Sequence, residues 1–251
     1  MSLQGAIDSQ CLRDTTALIL AGGLGTRLRS AVADVPKVLA PVHGRPFLTC
    51  LLDQLADAGL SHVVLCTGYR ADLIEAAFGD RYRSLSLEYS RESQPLGTGG
   101  ALRLAADKAR SQTILAMNGD SFIDADLPAF LTAHTASGLK ASLLLTEVPD
   151  TSRYGRVQVD RSGHVTSFEE KGAHRGVGWI NAGVYLFFRD LFADVPRETS
   201  LSFERDLLPA WIENGLGGIP CQCRFLDIGT PESFAAAEAF FRPRGPAKVA
   251  A

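Results

Sequence analysis

The stretch Thr16–Ala21 is a short apolar run that stops on Gly22-Gly23-Leu24-Gly25-Thr26-Arg27. An apolar run of this length, closed by glycines, reads as a buried strand feeding a tight loop. The chain then repeats the theme. Arg45–Ala58 opens with Pro46 and sets Phe47, Leu48, Leu51, Leu52 and Leu55 on one helical face. His62–Thr67 reads as a second buried strand, Asp72–Phe78 as a helix and Leu85–Tyr89 as a short strand. Thr98–Ala109 follows as a helix and Gln112–Met117 as a strand that runs into Asn118-Gly119-Asp120. Strand and helix alternate, which predicts an α/β, Rossmann-like, mostly parallel sheet with helices on both faces.

The second half changes character. Leu139–Glu147, Arg156–Val159, Val165–Glu169 and Gly183–Phe188 read as strands with few helices between them. They predict a mixed extension of the sheet with a lobe over its C-terminal edge. Helices return at Ser202–Asn214 and Pro231–Phe241, the second started by Thr230 as cap. No linker or repeat interrupts this order. We therefore expect a flexible N-terminal segment over residues 1–15, one domain over 16–241 and a flexible tail over 242–251.

Composition narrows the classes. Lys and Arg number 25 against 28 Asp and Glu, a net charge of -3, which argues against a nucleic-acid partner. The longest apolar runs, such as Val184–Phe188, are too short to cross a bilayer. The five cysteines (Cys11, Cys50, Cys66, Cys221, Cys223) are an odd count and show no disulfide framework, so a cytoplasmic setting is expected. Cys221 and Cys223 share one face of a strand-like stretch and read as core residues.

In open α/β sheets ligands bind beyond the carboxyl ends of the strands. The glycine loop after the first strand can be a plain tight turn, but Arg27 and then Lys37 follow it. Glycine backbone closing on an anion, with two cations nearby, points to a triphosphate. No GxxxxGK[ST] string is present, and Leu28 stands where a GxGxxG dinucleotide fingerprint needs Gly or Ala. Asp120 and Asp227 each close an apolar strand. Either alone reads as turn chemistry. Together with the loop they form a site for Mg²⁺, a hard cation that takes few protein ligands plus substrate phosphates.

These residues resemble the sugar-1-phosphate nucleotidylyltransferases, also called sugar-nucleotide pyrophosphorylases. The likeness rests on Leu20-Ala21-Gly22-Gly23-Leu24-Gly25-Thr26-Arg27-Leu28 and Pro36-Lys37-Val38-Leu39-Ala40-Pro41-Val42. It continues through Gln94-Pro95-Leu96-Gly97-Thr98-Gly99-Gly100-Ala101, Asn118-Gly119-Asp120, Tyr154-Gly155, Phe168-Glu169-Glu170-Lys171, Asn181-Ala182-Gly183 and Asp227-Ile228-Gly229-Thr230-Pro231. Within the family the chain is similar to the short guanylyltransferases of bacterial surface-sugar pathways. Gln94-Pro95 departs from the Glu-Pro that guanylyl relatives often carry and is shared with thymidylyl relatives.

The resemblance implies a glycosyltransferase-A-like fold with a sugar-binding lobe. It implies transfer from an NTP, with GTP favoured, to a sugar 1-phosphate, with heptose 1-phosphate first and mannose 1-phosphate as the alternative. The backbone of Gly22, Gly23, Gly25 and Thr26 would grip triphosphate and ribose, Gln94 and Gly97 would meet the base, and Leu20, Ala21 and Thr98 would also bind the nucleotide. Arg27 would stabilise the departing phosphates, and Lys37 would sit near the α-phosphate and the attacking phosphate. Asp120 and Asp227 would hold Mg²⁺. Tyr154, Gly155, Glu170 and Asn181 would face the sugar and Lys171 its phosphate. A homo-oligomer is left open, and a non-catalytic relative of the same fold is opposed by the presence of Arg27, Lys37 and both aspartates.

Overall fold

The computed structural model describes residues 12–23, 35–169, 172 and 175–242. Arg27, Gly25, Thr26, Glu170 and Lys171, expected above to bind ligand, lie outside them, as does all but the first residue of the expected 242–251 tail.

The strands, in chain order, begin with β1 (Thr16–Leu20), the small hairpin β2 (Pro41–Val42) and β3 (Arg45–Pro46), and β4 (His62–Thr67). Then come β5 (Arg81–Tyr82), β6 (Leu85–Arg91), β7 (Thr113–Asn118), β8 (Ser121–Ile123) and β9 (Ala141–Val148). The chain closes with β10 (Val157–Val159), β11 (Val165–Phe168), β12 (Gly178–Phe188), β13 (Leu216–Cys221) and β14 (Phe225–Asp227). Eight of them make one sheet in the order β13-β9-β12-β7-β1-β4-β6-β5. β1 runs parallel to both β4 and β7, and β4 parallel to β6. β12 is antiparallel to β7 and β9, which is the mixed extension the second half predicts.

Side-chain alternation explains why helices cover both faces. Along β1, Ala17 and Ile19 enter one core while Leu18 enters the other. β4 splits the same way, with Val63 and Leu65 on one side and Val64 and Cys66 on the other. The first core is closed by Leu48, Leu51, Leu52 and Leu55 of the helix Leu48–Asp57, with Ile74 and Phe78 of the helix Ala71–Phe78. The second is closed by Leu102 and Ala105 of the helix Gly97–Ala106 and by Phe203, Leu208 and Trp211. Leu18 is wholly buried. Cutting it to alanine would cost about 2–5 kcal/mol, the usual range for a core leucine.

Four sequence expectations shift. Arg45 and Pro46 belong to the hairpin with Pro41–Val42, so the helix expected from Arg45 begins at Leu48. A helix over Leu127–Ser137, absent from the sequence reading, is capped by the Asp126 side chain on the Ala129 N–H and ends at Gly138 with φ of 67°. The helix expected over Ser202–Asn214 starts as a π turn, Phe203–Leu207, before becoming α-helical over Leu208–Ile212. Cys221 and Cys223 do share a face against the core, but both are half-buried and bonded to each other as a disulfide, not separate core thiols.

Candidate active site

The parallel strands β1 and β7 end side by side, and their ends are locked. The Gly119 N–H donates to Leu20 O at 3.0 Å. A Cβ on Gly119 would lie 2.2 Å from that oxygen, so only glycine permits the approach. Asp120 follows at once and is carried beyond the sheet. β14 pairs antiparallel with β8, Asp227 opposite Ser121, and the Ile228 N–H donates to Asp120 O at 2.9 Å. A short ladder thus brings two aspartates that are distant in sequence to one strand-end corner.

Lys37 reaches the same corner from the 3-10 turn Lys37–Leu39, which the buried Val38 anchors. Its Nζ donates to Asp120 Oδ2 at 2.7 Å. The lysine side chain is 12% exposed and the aspartate 42%, so the pair is shielded on one side and open to the cleft on the other. The Asp227 carboxyl is raised above the usual carboxylate range, by burial first and by the negative charge of Asp120 second. The Gly229 N–H donates to its Oδ1 and pulls the other way.

A cleft of about 1300 Å³ opens over this corner. That exceeds the roughly 300–1,000 Å³ of most small-molecule sites and suits two ligands together. Leu20, Ala21, Gly22, Gly23 and Lys37 line one side, with Gln94, Gly97 and Thr98 beyond them. Tyr154, Gly155 and Asn181 line the other, and Asp120 and Asp227 lie between. Every described residue singled out from the sequence therefore meets in one cavity. Gly97 has φ of 69°, and a Cβ there would lie 2.5 Å from Leu201 O, which fixes the loop against the π turn.

The floor holds residues the sequence reading passed over. The fully buried Tyr185 hydroxyl accepts from Asn181 Nδ2 at 2.8 Å and faces Glu204 Oε1 at 3.5 Å. Thr98 Oγ1 donates to Glu204 Oε2 at 3.2 Å and accepts the Phe203 N–H at 2.8 Å. Asn118 also bonds Tyr185, and its own Oδ1 is buried without a partner. A polar chain thus runs Thr98–Glu204–Tyr185–Asn181 across the cleft. Tyr154 packs edge-on against Phe225 at 5.7 Å, so its ring is both wall and support for the strand that carries Asp227.

A metal fits the two carboxylates. They add negative charge to one half-shielded corner, where burial and then the Asp120 charge raise the Asp227 carboxyl. Among the described residues no cluster of three or more metal-type ligands occurs. Two suffice for Mg²⁺, whose remaining positions go to water and phosphate.

The nucleotidyl transferase family model matches residues 16–243. The chain belongs to this family. The nucleotidyl transferase is 37% identical over 223 residues to the D-glycero-alpha-D-manno-heptose 1-phosphate guanylyltransferase of Aneurinibacillus thermoaerophilus, covering 88% of this chain and 96% of that protein. It is 39% identical over 222 residues to the mannose-1-phosphate guanylyltransferase of Mycobacterium tuberculosis, covering 87% of this chain but 62% of that protein. It superposes with a TM-score of 0.81 and 34% identity on HddC from Yersinia pseudotuberculosis complexed with GMP-PN, covering 90% of this chain and 99% of that one. The likeness bears out the architecture expected from the sequence. Among the described residues no helix is long and apolar enough to cross a membrane.

Proposed function

We propose that this nucleotidyl transferase moves a guanylyl group from GTP to D-glycero-α-D-manno-heptose 1-phosphate, with residues 16–241 as one catalytic domain working in the cytoplasm. A phosphate oxygen of the sugar 1-phosphate attacks the α-phosphorus of GTP in line. The bond to the β-phosphate oxygen breaks, pyrophosphate leaves, and a GDP-sugar remains. The observation that carries this is the Lys37–Asp120–Asp227 corner inside a cleft large enough for both substrates.

Such transfers ask little covalent chemistry of the protein; positioning and charge neutralisation carry them. The Lys37 ammonium would sit near the α-phosphate and the attacking phosphate and offset their mutual repulsion. Asp120 and Asp227 would hold Mg²⁺, which when bound supplies further neutralisation of the phosphates. The Gly22 and Gly23 backbone takes the triphosphate and ribose, with Leu20 and Ala21 behind it. Gly25, Thr26 and Arg27 are assigned to the same phosphates from their place in the motif. Gln94, Gly97 and Thr98 line the base end. Asn181, held by Tyr185, faces the sugar with Tyr154 and Gly155, and Glu170 and Lys171 are assigned to the sugar and its phosphate from sequence.

Mannose 1-phosphate is the second reading, favoured by the identity to the Mycobacterium protein. The heptose is put first on the likeness to the Aneurinibacillus enzyme. Pyrophosphate release, measured for GTP, ATP, CTP, UTP and dTTP against heptose, mannose, glucose and N-acetylglucosamine 1-phosphates, tests the assignment. The highest kcat/KM is expected for GTP with the heptose. A higher value for dTTP or for glucose 1-phosphate overturns it.

A further inference from the structure

Cys221 ends β13, and Cys223 stands two residues before β14, the strand that carries Asp227. Their disulfide closes a ring with a single residue between the pair. A disulfide stabilises more the longer the loop it closes, so this one is poorly placed as a staple. Both side chains are half-buried, so solvent reaches them. In the cytoplasmic setting proposed above, a disulfide that forms at all is usually transient and redox-sensing.

Its effect is on the path of the chain. Residues two apart on a strand are about 6.6 Å from each other, Cα to Cα and Cβ to Cβ alike. A disulfide needs its Cβ atoms within about 4.5 Å. Cys221-Gln222-Cys223 can therefore be a strand or a closed ring, and not both. Here the ring is closed, the two Cα atoms are 5.3 Å apart, and β13 stops at Cys221, paired with Thr146 of β9. β9 runs on through Glu147 to Val148 with no β13 residue opposite, the places that Gln222 and Cys223 would take in register. Thr146 Oγ1 instead donates to Cys223 O at 3.3 Å. The turned chain delivers Arg224 to β8. There its Nη2 donates to Asp124 Oδ2 at 2.8 Å, and its carbonyl accepts the Asp124 N–H at 2.9 Å. The pairing of Asp227 opposite Ser121 follows from that start.

We infer that Cys221 and Cys223 form a reversible thiol–disulfide couple that sets where β13 ends and, through β14, how firmly Asp227 is held at the corner. With the bond open, β13 is free to continue along β9, which draws the residues before β14 away from β8. The effect on the reaction rests on the metal role proposed for Asp227; the change in the chain does not. Closure is a two-electron exchange with a small disulfide such as glutathione disulfide. One cysteine thiolate attacks a sulfur of that disulfide, a mixed disulfide forms and one glutathione thiolate leaves. The other cysteine thiolate attacks the protein sulfur of the mixed disulfide, the ring closes and the second glutathione thiolate leaves. The two protons given up by the cysteines end on the two glutathiones. A dithiol reductant runs the exchange backwards and is itself left as a disulfide.

The full chain is treated with dithiothreitol or with glutathione disulfide, freed of reagent, and compared with the Cys221→Ser, Cys223→Ser double variant treated alike. Peptide mass mapping reads the state of the pair. Hydrogen exchange reads the backbone N–H groups of residues 222–228, and pyrophosphate release reads the Mg²⁺ concentration for half-maximal rate. In the oxidised wild type, exchange should be about fivefold slower and the Mg²⁺ requirement about fivefold lower than in the reduced, the low end of ordinary coupling between sites. The double variant should match the reduced wild type under either reagent. A pair that stays open in glutathione disulfide overturns the inference, as does equal exchange in the two wild-type states. A redox response that the double variant keeps belongs to another cysteine and also overturns it. Altered exchange with an unaltered Mg²⁺ requirement overturns the link to Asp227. A protein that releases no pyrophosphate in either state overturns the function proposed above, while hydrogen exchange still decides whether the couple moves β14.

Discussion

The two sides of the cleft are built on different principles. On the side assigned to the nucleotide, β1, β4 and β7 run parallel and their backbones do the positioning, through Gly119 against Leu20 and Ala21 N–H against Cys66 O at 2.8 Å. On the side assigned to the acceptor, β12 is antiparallel and irregular between Asn181 and Tyr185, and side chains do the positioning through Tyr185 and Glu204. Backbone geometry tolerates little change in the ligand, which suits a triphosphate common to many reactions. A side-chain network can be re-cut residue by residue, which suits sugars that differ by one carbon or one hydroxyl. The division predicts that affinity for the triphosphate and affinity for the sugar can be altered separately.

The largest effect should come from Lys37→Ala, which removes the cation at the meeting point of the two sides. A loss of at least about 10²-fold in kcat/KM is expected, the scale for one charge stabiliser in such a site. Unchanged turnover would remove Lys37 from the chemistry. Asp227→Asn should cost about tenfold or more and raise the Mg²⁺ concentration needed for half-maximal rate. An identical Mg²⁺ profile would break the two-carboxylate assignment. The same change should raise Tm at neutral pH. Folding raises the Asp227 carboxyl above its usual range, so its ionisation opposes folding at pH above that range, and asparagine lifts the penalty. For the wild type, the Mg²⁺ requirement should climb as pH falls, and should start climbing above the pH at which an ordinary carboxylate protonates.

A smaller effect sharpens the comparison. Tyr185→Phe removes the hydroxyl that accepts from Asn181 and meets Glu204. KM for the sugar 1-phosphate should rise about fivefold, as for one hydrogen bond, with KM for the triphosphate unchanged. A rise in the triphosphate KM instead would show that the two sides are not separable. The smallest effect on activity belongs to His134, which is buried behind the acceptor side with Nδ1 bonded to Ser142 Oγ at 2.9 Å. Burial lowers its pKa to about 4, so the folded protein holds the neutral ring. Stability should therefore fall as pH drops from about 6.5 towards that value. His134→Gln should flatten this dependence in denaturant titrations and leave kcat alone.

The strands of the parallel half were legible because their apolar runs are continuous and end on glycine or aspartate. That same feature exposed Asp120 and Asp227, each at a strand end, while Lys37 was read from its place after the glycine loop. The helix Leu127–Ser137 escaped notice because Leu127, Phe130, Leu131 and His134 make a weak apolar stripe, although Asp126, Pro128 and Gly138 mark both ends. β12 extends to Gly178, five residues before the expected start, because Gly183 with φ of 75° interrupts the pattern without ending the strand. The cleft floor was hidden for another reason. In Val184–Phe188, Tyr185 reads as one more core aromatic, and its ring is indeed core, in edge contact with Phe203 at 4.8 Å. Only its hydroxyl belongs to the site. Glu204 was visible as a helix start, but the π turn that brings it over Thr98 leaves no mark in composition.

The contact between Lys37 and Asp120 has a consequence for how such a protein is loaded. By itself the chain satisfies each of these charges with the other, so neither waits in a low-dielectric recess uncompensated. A magnesium–nucleotide complex brings a cation for the aspartate and an anion for the lysine in one arrival. On the proposed reaction, free nucleotide or free metal would offer half of that exchange and leave one partner stranded, which favours their arriving together.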